Sequence, residues 1–321
     1  LYGPLSCGAT TIILEKPMNF LDSDVQKKIL FNYKVSILYL PVTILRLIKS
    51  IRLKQKIKSK HLKLLGSMGE PMSKYVGRWF SNKFSFKSLQ IVNTYFQTET
   101  GGIIAAPGFK DSIKNTPFGT VGKPLSKKLG VFIDQKMNSE IKIKNPWPGC
   151  MIGVINGNSF FDKYWDDNCN FKLFDFASID KYKNFLIHGR LDDVINVRGH
   201  RIGSGEIESV LLKSNKIKEV CAIGVDDKLA GNEIVIFVVK KSKNRIDEFI
   251  ENSLLTQFGT FALPKKIIYL SELPKTRSGK ILRRLLRNIY NNYNTDNLGD
   301  ISTISNKNII DEIKLKLKAN E

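Results

Sequence analysis

The sequence is short of histidine and cysteine, with three His and four Cys among 321 residues. Cys7, Cys150, Cys169 and Cys221 are scattered without a CxxC pair, which argues against a zinc ribbon or a disulfide framework and for a reducing compartment. His188 and His200 have no further His or Cys at ligand spacing, so both read as structural rather than metal-ligating. No apolar run reaches the roughly 20 residues that span a bilayer. The start, Leu1-Tyr2-Gly3-Pro4, has neither an initiator Met nor a signal-peptide layout, and Ala9 to Leu14 reads as a buried strand only a few residues in, so the chain is expected to begin inside a domain. No internal repeat is evident. A P-loop is lacking too: Gly119-Thr120-Val121-Gly122-Lys123-Pro124 offers glycines, but the motif needs GxxxxGK followed by Ser or Thr. Acidic residues are outnumbered, 30 Asp plus Glu against 51 Lys plus Arg, for a net charge of +21. Such a field draws anions, nucleotides and nucleic acid alike. The densest basic stretch, Lys49 to Lys63 with Arg52, Lys54, Lys56, Lys58 and Lys60, reads as a solvated face in preference to an RNA site.

What is present fits an ordinary folded chain, 42% hydrophobic and 25% charged, with two domains expected. From Ala9 to Val92, apolar runs at Thr10 to Leu14, Val35 to Tyr39, Leu62 to Leu65 and Leu89 to Val92 alternate with helix-like stretches such as Ser23 to Asn32. That alternation predicts an α/β fold, a parallel sheet with crossover helices. Between Pro107 and His188, Gly and Pro punctuation between short alternating segments predicts a small β subdomain. From about Asp193, a strand (Val194 to Val197), a turn at Gly199, a helix (Glu206 to Lys213) and strands at Val220 to Val225 and Ile234 to Val239 predict a compact α+β domain. The tail after Asn291 is polar and ends in a helix-like run, Ile309 to Leu317.

Parallel sheets hold ligands in loops beyond the carboxyl ends of their strands. Two unusual loops lie there: Gly66-Ser67-Met68-Gly69-Glu70-Pro71, and Asn93-Thr94-Tyr95-Phe96-Gln97-Thr98-Glu99-Thr100-Gly101-Gly102. In the second, Tyr95 can stack on an adenine, the Thr98 hydroxyl can reach phosphate or carboxylate oxygens, and Glu99 can hold magnesium, a hard cation that takes oxygen ligands. A polar turn flanked by core aromatics is the plain alternative. Asp175 and Arg190 are far apart in sequence but able to meet, one accepting from ribose hydroxyls and the other donating.

The most informative segment is Leu273-Pro274-Lys275-Thr276-Arg277-Ser278-Gly279-Lys280. Pro274 stiffens its start and Gly279 loosens its end, placing Lys280 at the mouth of a helix whose apolar positions Leu282, Leu285, Leu286 and Ile289 recur at helical spacing. A lysine so tethered can be presented to another domain as a compact point charge. Joining a carboxylate to AMP develops charge between carboxylate and α-phosphate, and a presented lysine suits that task. A basic surface loop is the alternative for this segment alone.

Taken together and in this order, these motifs resemble the acyl-adenylate-forming superfamily, and within it the acetyl-CoA synthetases. The resemblance rests on Tyr2-Gly3-Pro4-Leu5 with Gly8-Ala9-Thr10-Thr11, GSMGEP at Gly66 to Pro71, QTETGG at Gln97 to Gly102 and Pro146-Trp147-Pro148-Gly149. It extends through GRLDDVINVRGHRI at Gly189 to Ile202, Glu206-Ile207-Glu208-Ser209, LPKTRSGKILRR at Leu273 to Arg284, and Asn297 to Thr303, nearly the whole chain. It implies part of a large nucleotide-binding domain over residues 1–191, with its β subdomain at 107–191, and a mobile C-terminal domain over 192–321 hinged at Asp192. The implied substrates are acetate, ATP with Mg2+, and coenzyme A, in the cytosol or nucleus. By position, Gly69, Glu70, Pro71 and Asn93 through Thr98 would line the nucleotide, Asp175 and Arg190 would hold ribose, and Arg201 would contact phosphate. Glu99 would assist magnesium, Thr98 and Lys280 would serve adenylation, Met68 and Phe96 would line the acyl pocket, and Asn19, Arg198 and Gly199 would face coenzyme A. Acetylation of Lys280 would remove its charge and silence it.

The sequence departs from the family's pattern at several of these positions. Phe96 stands for a tryptophan and Met68 for a smaller valine, which oppose each other in pocket volume and leave propionate beside acetate. Asn93 stands for Asp, Phe174 for the glycine before Asp175, and Arg198 for a serine; Leu255 falls near an arginine position. The family's phosphate loop would lie upstream of Leu1, so these 321 residues alone are not expected to complete the reaction. An inactive homologue and a basic nucleic-acid-binding protein are the rival readings.

Overall fold

A computed structural model describes residues 2–51, 57–86, 89–108, 111–134, 139–155, 160–227, 231–241, 245–276, 279–291 and 304–318. Arg52, Lys54 and Lys56 of the basic run, Arg277 and Ser278 of the lysine segment, and the Asn297 to Thr303 segment lie outside the described residues.

Helices α1 (Tyr2–Ser6) and α2 (Ser23–Lys27) lead into the first sheet. The Asp22 carboxylate caps α2, accepting the Asp24 N–H at 2.6 Å, and a turn of π-helix over Lys28–Asn32 extends it, filling the span expected to be helical. Strands β1 (Ile37–Pro41), β2 (Leu64–Met68) and β3 (Ile91–Asn93) pair in parallel in that order. Each begins in one of the expected apolar runs. Helix α3 (Val42–Ser50) follows β1, and α4 (Lys74–Phe84), capped by the Ser73 hydroxyl on the Val76 N–H, follows β2. Phe20, Leu30, Leu45, Leu65, Phe80 and Phe84 form their shared core. Residues 9–14 correct the expectation of a buried strand. They belong to no strand, and Ile12 and Ile13 are exposed; a β-branched run becomes a strand only when a neighbour satisfies its backbone, and no described strand pairs with it.

The β subdomain contains the pair β4 (Ala105–Ala106) and β5 (Lys123–Pro124), and an antiparallel meander of β6 (Val131–Asp134), β7 (Glu140–Ile143), β8 (Phe171–Ile179) and β9 (Phe185–Arg190). Helix α5 (Phe160–Tyr164) packs on β8, and Ile141, Ile143, Phe171, Leu173 and Ala177 build the interior. A cation is buried there too: the Lys142 ammonium lies between Asp134 at 2.9 Å and Asp166 at 2.8 Å, the pairing that burial of an ion requires.

Strand β8 is irregular on both edges. Glu140 faces Phe176 while Lys142 faces Lys172, so β8 carries extra residues at Leu173 to Asp175; on the other edge the register slips at His188. Phe174 takes the left-handed conformation there, φ 55°, and its N–H is captured by the buried Glu140 carboxylate at 2.9 Å. Bulges of this kind bend a strand and re-aim side chains.

The last unit is built on a mixed sheet of β10 (Val194–Val197), β11 (His200–Gly203), β12 (Ile217–Asp227), β13 (Gly231–Lys240) and β14 (Lys266–Tyr269). Arg198 and Gly199, both at positive φ, form the two-residue turn between β10 and β11. Alternate residues of β12 and β13 serve opposite faces. Val220, Ala222, Ile234 and Ile236 lie in one cluster with Ile207 of α6 (Ser204–Leu211) and Ile250 of α7 (Asp247–Phe258). Cys221, Ile223, Val235 and Phe237 lie in another with Leu286 of α8 (Arg283–Asn291) and Ile313 of α9 (Asn308–Lys318). Leu285, Leu286 and Ile289 are buried as their helical spacing predicts.

Candidate active site

Parallel pairing brings the carboxyl ends of β2 and β3 side by side, with Ser67 opposite Asn93, so the two expected loops leave the sheet together. The Thr94 N–H donates to the Ser67 carbonyl at 2.9 Å, and the Thr94 hydroxyl bonds the phenol of Tyr39 on β1. Asn93 is buried with its amide donating to the Thr120 carbonyl at 3.1 Å, which leaves its side-chain oxygen as the acceptor. At the end of β2, Gly69 turns the chain at φ 91°. The Glu70 carboxylate is then held on both oxygens: the Thr43 hydroxyl donates to one at 2.9 Å and the Arg46 guanidinium to the other at 2.6 Å. Arg46 also donates to the Pro71 carbonyl at 3.3 Å.

The Thr94 to Gly102 loop is gripped from two sides. Internally, Thr100 accepts the Gln97 N–H on its hydroxyl at 3.0 Å and donates to the Gly102 carbonyl at 2.8 Å. Externally, the Trp147 indole donates to the Thr100 carbonyl at 2.6 Å, and the Met151 N–H donates to the Glu99 carbonyl at 2.9 Å. Close approach explains the paired glycines: a Cβ on Gly101 would lie 1.8 Å from the Gly149 carbonyl oxygen, and one on Gly102 would lie 2.5 Å from the Trp147 ring.

Asp175 and Arg190 do meet, as directly opposed residues of β8 and β9 with Arg190 Nε 3.8 Å from the carboxylate. Tyr95 and Gln97 complete the cluster, donating to Asp175 Oδ2 at 2.6 and 2.5 Å. Burial pushes the Asp175 carboxyl above its ordinary range, against the lowering pull of Tyr95, Arg190 and Gln97. Burial, then the neighbouring Asp175 charge, pushes the Tyr95 phenol well up. Tyr95 is only 7% exposed, so in this structure it is a post for Asp175. Phe174 precedes that carboxylate in β8. Its backbone adopts the left-handed conformation, while its ring meets Tyr164 edge-on at 5.4 Å and lies under the Arg190 guanidinium at 5.9 Å.

The other expected site residues are spread over several elements. Arg201 lies over the Phe176 ring at 5.2 Å, one residue beyond Asp175. Met68 closes β2 opposite Pro41, and Phe96 is 39% exposed. Asn19 is exposed in the turn Pro17–Leu21, and Arg198 and Gly199 are exposed at their hairpin tip; among the described residues no contact joins these three to the Asp175 cluster. Asp192 lies in the short 3₁₀ turn Leu191–Asp193, with its carbonyl accepting from Arg287 of α8 at 2.9 Å.

Lys280 is held by its own loop. Thr276 accepts the Lys280 N–H on its hydroxyl at 3.1 Å, the Thr276 N–H donates to the Lys280 carbonyl at 2.9 Å, and the Gly279 N–H donates to the Thr276 carbonyl at 2.8 Å. Its side chain is exposed. Gly279, at φ 89°, rests on the first sheet's unit: a Cβ there would lie 3.2 Å from the Thr43 methyl. Tyr39, Thr43, Arg46 and Glu140 were missed in the sequence. The available signal for two of them was the i, i+3 spacing of Thr43 and Arg46 at the start of a helix following a parallel strand. Among the described residues no group of three or more His, Cys, Asp or Glu gathers as a metal site. Glu99 is a lone oxygen donor, which suits magnesium held by one carboxylate together with substrate phosphates. No described helix is long and apolar enough to cross a membrane.

Acetyl-coenzyme A synthetase 1 of Candida albicans is 35% identical over 331 residues, covering 98% of this chain and 49% of its own length. Acetyl-coenzyme A synthetase of Rhodopirellula baltica is 36% identical, covering 95% and 47%. The chain thus spans about half the length of the curated relatives it matches. Among solved structures, ATP-bound MatB from Rhodopseudomonas palustris superimposes with a TM-score of 0.73 at 22% identity, over 91% of this chain and 57% of that one. MenE from Bacillus subtilis, in complex with the acyl-adenylate OSB-AMP, gives 0.71 at 20% identity over 94% and 58%; both show the shared fold. The AMP-binding enzyme C-terminal domain matches residues 206–280, and since the AMP-binding enzyme model spans residues 1–165, the β2 and β3 loops included, the chain belongs to the AMP-binding enzyme family.

Proposed function

We propose that the protein of which this chain forms part activates acetate with ATP and passes the acetyl group to coenzyme A. The observation that supports the reading is a double pairing: the Asp175 cluster is bound to the Thr94 to Gly102 loop, and the Glu70 turn and the Lys280 loop both lie against Thr43. Acetyl-coenzyme A synthetases among the relatives supply the acyl group. In the first step an acetate oxygen attacks the α-phosphorus of ATP, the bond to pyrophosphate breaks, and acetyl-AMP forms. In the second, the coenzyme A sulfur attacks the acetyl carbonyl, its proton is lost to solvent and AMP leaves.

In this reading the Gly69 to Pro71 turn and Asn93 through Thr98 line the nucleotide, and the Asn93 oxygen accepts from the adenine amino group. Asp175 accepts from ribose hydroxyls with Arg190 beside it, and Arg201 contacts phosphate. Glu99 would hold magnesium together with the substrate phosphates, and the ion would supply neutralisation of their charge. Lys280 supplies positive charge where negative charge develops. Residues 1–191 and 192–321 move as two bodies about Asp192, exchanging Lys280 for the Arg198–Gly199 turn between steps, and acetylation of Lys280 stops the first. Met68 and Phe96 act oppositely on acyl-pocket volume, which leaves a propionyl-CoA or other short-chain acyl-CoA synthetase as the alternative to acetate.

The test is acetate-dependent ATP–pyrophosphate exchange by the full-length protein beside Lys280→Ala. Exchange that needs acetate and falls at least a hundredfold in the variant supports the reading. A folded protein that exchanges with no short carboxylate refutes it and favours the inactive homologue. Binding to RNA or DNA that falls steeply with salt would then favour the nucleic-acid reading.

A further inference from the structure

Thr43 stands at the junction of two loops. As the second residue of α3 it directs its hydroxyl to Glu70 Oε1 at 2.9 Å, while its methyl is what a Cβ on Gly279 would meet at 3.2 Å. One turn on, Arg46 holds the other Glu70 oxygen and the Pro71 carbonyl. The side chain is therefore used on both ends: the polar end fixes the turn expected to line the nucleotide, and the apolar end receives the loop that carries Lys280. Gly279 fits there for two reasons, its φ of 89° and the absence of a Cβ.

We infer that Thr43 is a positioning residue that couples seating of the Lys280 loop to the Glu70 turn, so that the lysine reaches its working place only on an ordered nucleotide turn. The inference rests on the adenylation reading for its kinetic consequence, and on geometry alone for the contact. Thr43 touches no reacting atom. Its methyl contact amounts to one buried carbon, a rate factor of about four. Its bond to a carboxylate is worth about tenfold in retention of the turn.

Two conservative variants separate the ends. Thr43→Ser keeps the hydroxyl and loses the methyl; it slows ATP–pyrophosphate exchange at saturating ATP about fourfold, while transfer from preformed acyl-AMP to coenzyme A, a step that does not use Lys280, changes less than twofold. Thr43→Val keeps the methyl and loses the hydroxyl; it raises the KM for ATP about tenfold and leaves kcat for exchange near the native value. Gly279→Ala slows exchange by crowding the methyl, and the double variant Thr43→Ser/Gly279→Ala recovers part of that loss because the crowding atom is gone. A purely structural role for Thr43 would lower both half-reactions together in every variant, and that result overturns the coupling.

Contact is tested without any substrate. In the full-length protein with the exposed Cys7 and Cys169 replaced by Ser, the pair Thr43→Cys/Gly279→Cys should form a disulfide under oxidised glutathione, which takes up the electron pair as the two thiols release their protons. Failure of that pair to cross-link, in a protein that unfolds at the native temperature, overturns the proposal. A protein that cross-links but never exchanges with acetate refutes the acetate reading and retains the contact.

Discussion

Replacing Phe174 by glycine and, separately, by alanine reads the left-handed backbone at the β8 bulge. Both variants lose the ring and with it the Tyr164 and Arg190 contacts at 5.4 and 5.9 Å, so their difference isolates the main chain. At φ 55° an alanine bears a steric cost of roughly 1–2 kcal/mol. Glycine escapes that cost but gives up about 0.5–1 kcal/mol of backbone entropy. The balance makes Phe174→Gly the more stable of the two by about 1 kcal/mol, or about 2 °C in unfolding temperature for a chain of this size. Urea unfolding followed by tryptophan fluorescence suits the measurement, because Trp165 packs 5.5 Å from Phe171 on the same strand. At a residue with negative φ the order reverses, since alanine then has the entropic advantage. Phe174→Ala equal to or more stable than Phe174→Gly would refute the assignment of this bulge.

Gly101→Ala should be among the most damaging single-methyl changes, because a Cβ at φ 62° falls 1.8 Å from the Gly149 carbonyl; a loss of about 3 kcal/mol by denaturant titration is expected, and a loss under 1 kcal/mol would show that the 146–149 segment does not grip the loop. Asp166→Asn tests the buried Lys142 pair. Burial pushes the Asp166 carboxyl up, but the Lys142 ammonium and Asn170 outweigh it and bring it from 3.8 down to about 2. A carboxylate lowered on folding stabilises above its unfolded value and loses that contribution as pH falls through the folded one. The native protein should therefore lose stability between about pH 4 and pH 2 more steeply than Asp166→Asn, as read by urea midpoints at each pH; parallel curves would exclude Asp166 as a contributor.

Much of the fold was legible because local pattern and final environment agreed. The apolar runs that became β1, β2 and β3 are buried in a parallel sheet, and Leu285, Leu286 and Ile289 line one helix face. Ala9 to Leu14 had the same local appearance but finds no described pairing partner, and pairing is not written in the segment itself. The Asp175–Arg190 meeting was anticipated from chemistry, and β8–β9 register delivers it. Tyr95 was read as a stacking surface because its buried hydroxyl partner lies far along the chain at Asp175. Thr43 and Arg46 went unread for a like reason: their partners, Glu70 and Gly279, belong to other elements.

The β12–β13 sheet has its own helical cover on each face, α6 and α7 on one and α8 and α9 on the other. That unit therefore has no need of the remainder of the chain to shield its oil. Among the described contacts between it and the first two units are Gly279 on Thr43, Arg201 over Phe176, and His188 beside Glu206 at 3.4 Å. Contacts this small bury little apolar surface between them, so temperature, which acts chiefly through buried apolar surface, has a weak hold on these three. Ionic strength has a stronger one on the exposed Arg201 guanidinium, because exposed charges are screened within about 8 Å at physiological salt. Salt is therefore expected to weaken these contacts while leaving the β12–β13 sheet and its two helical covers in place.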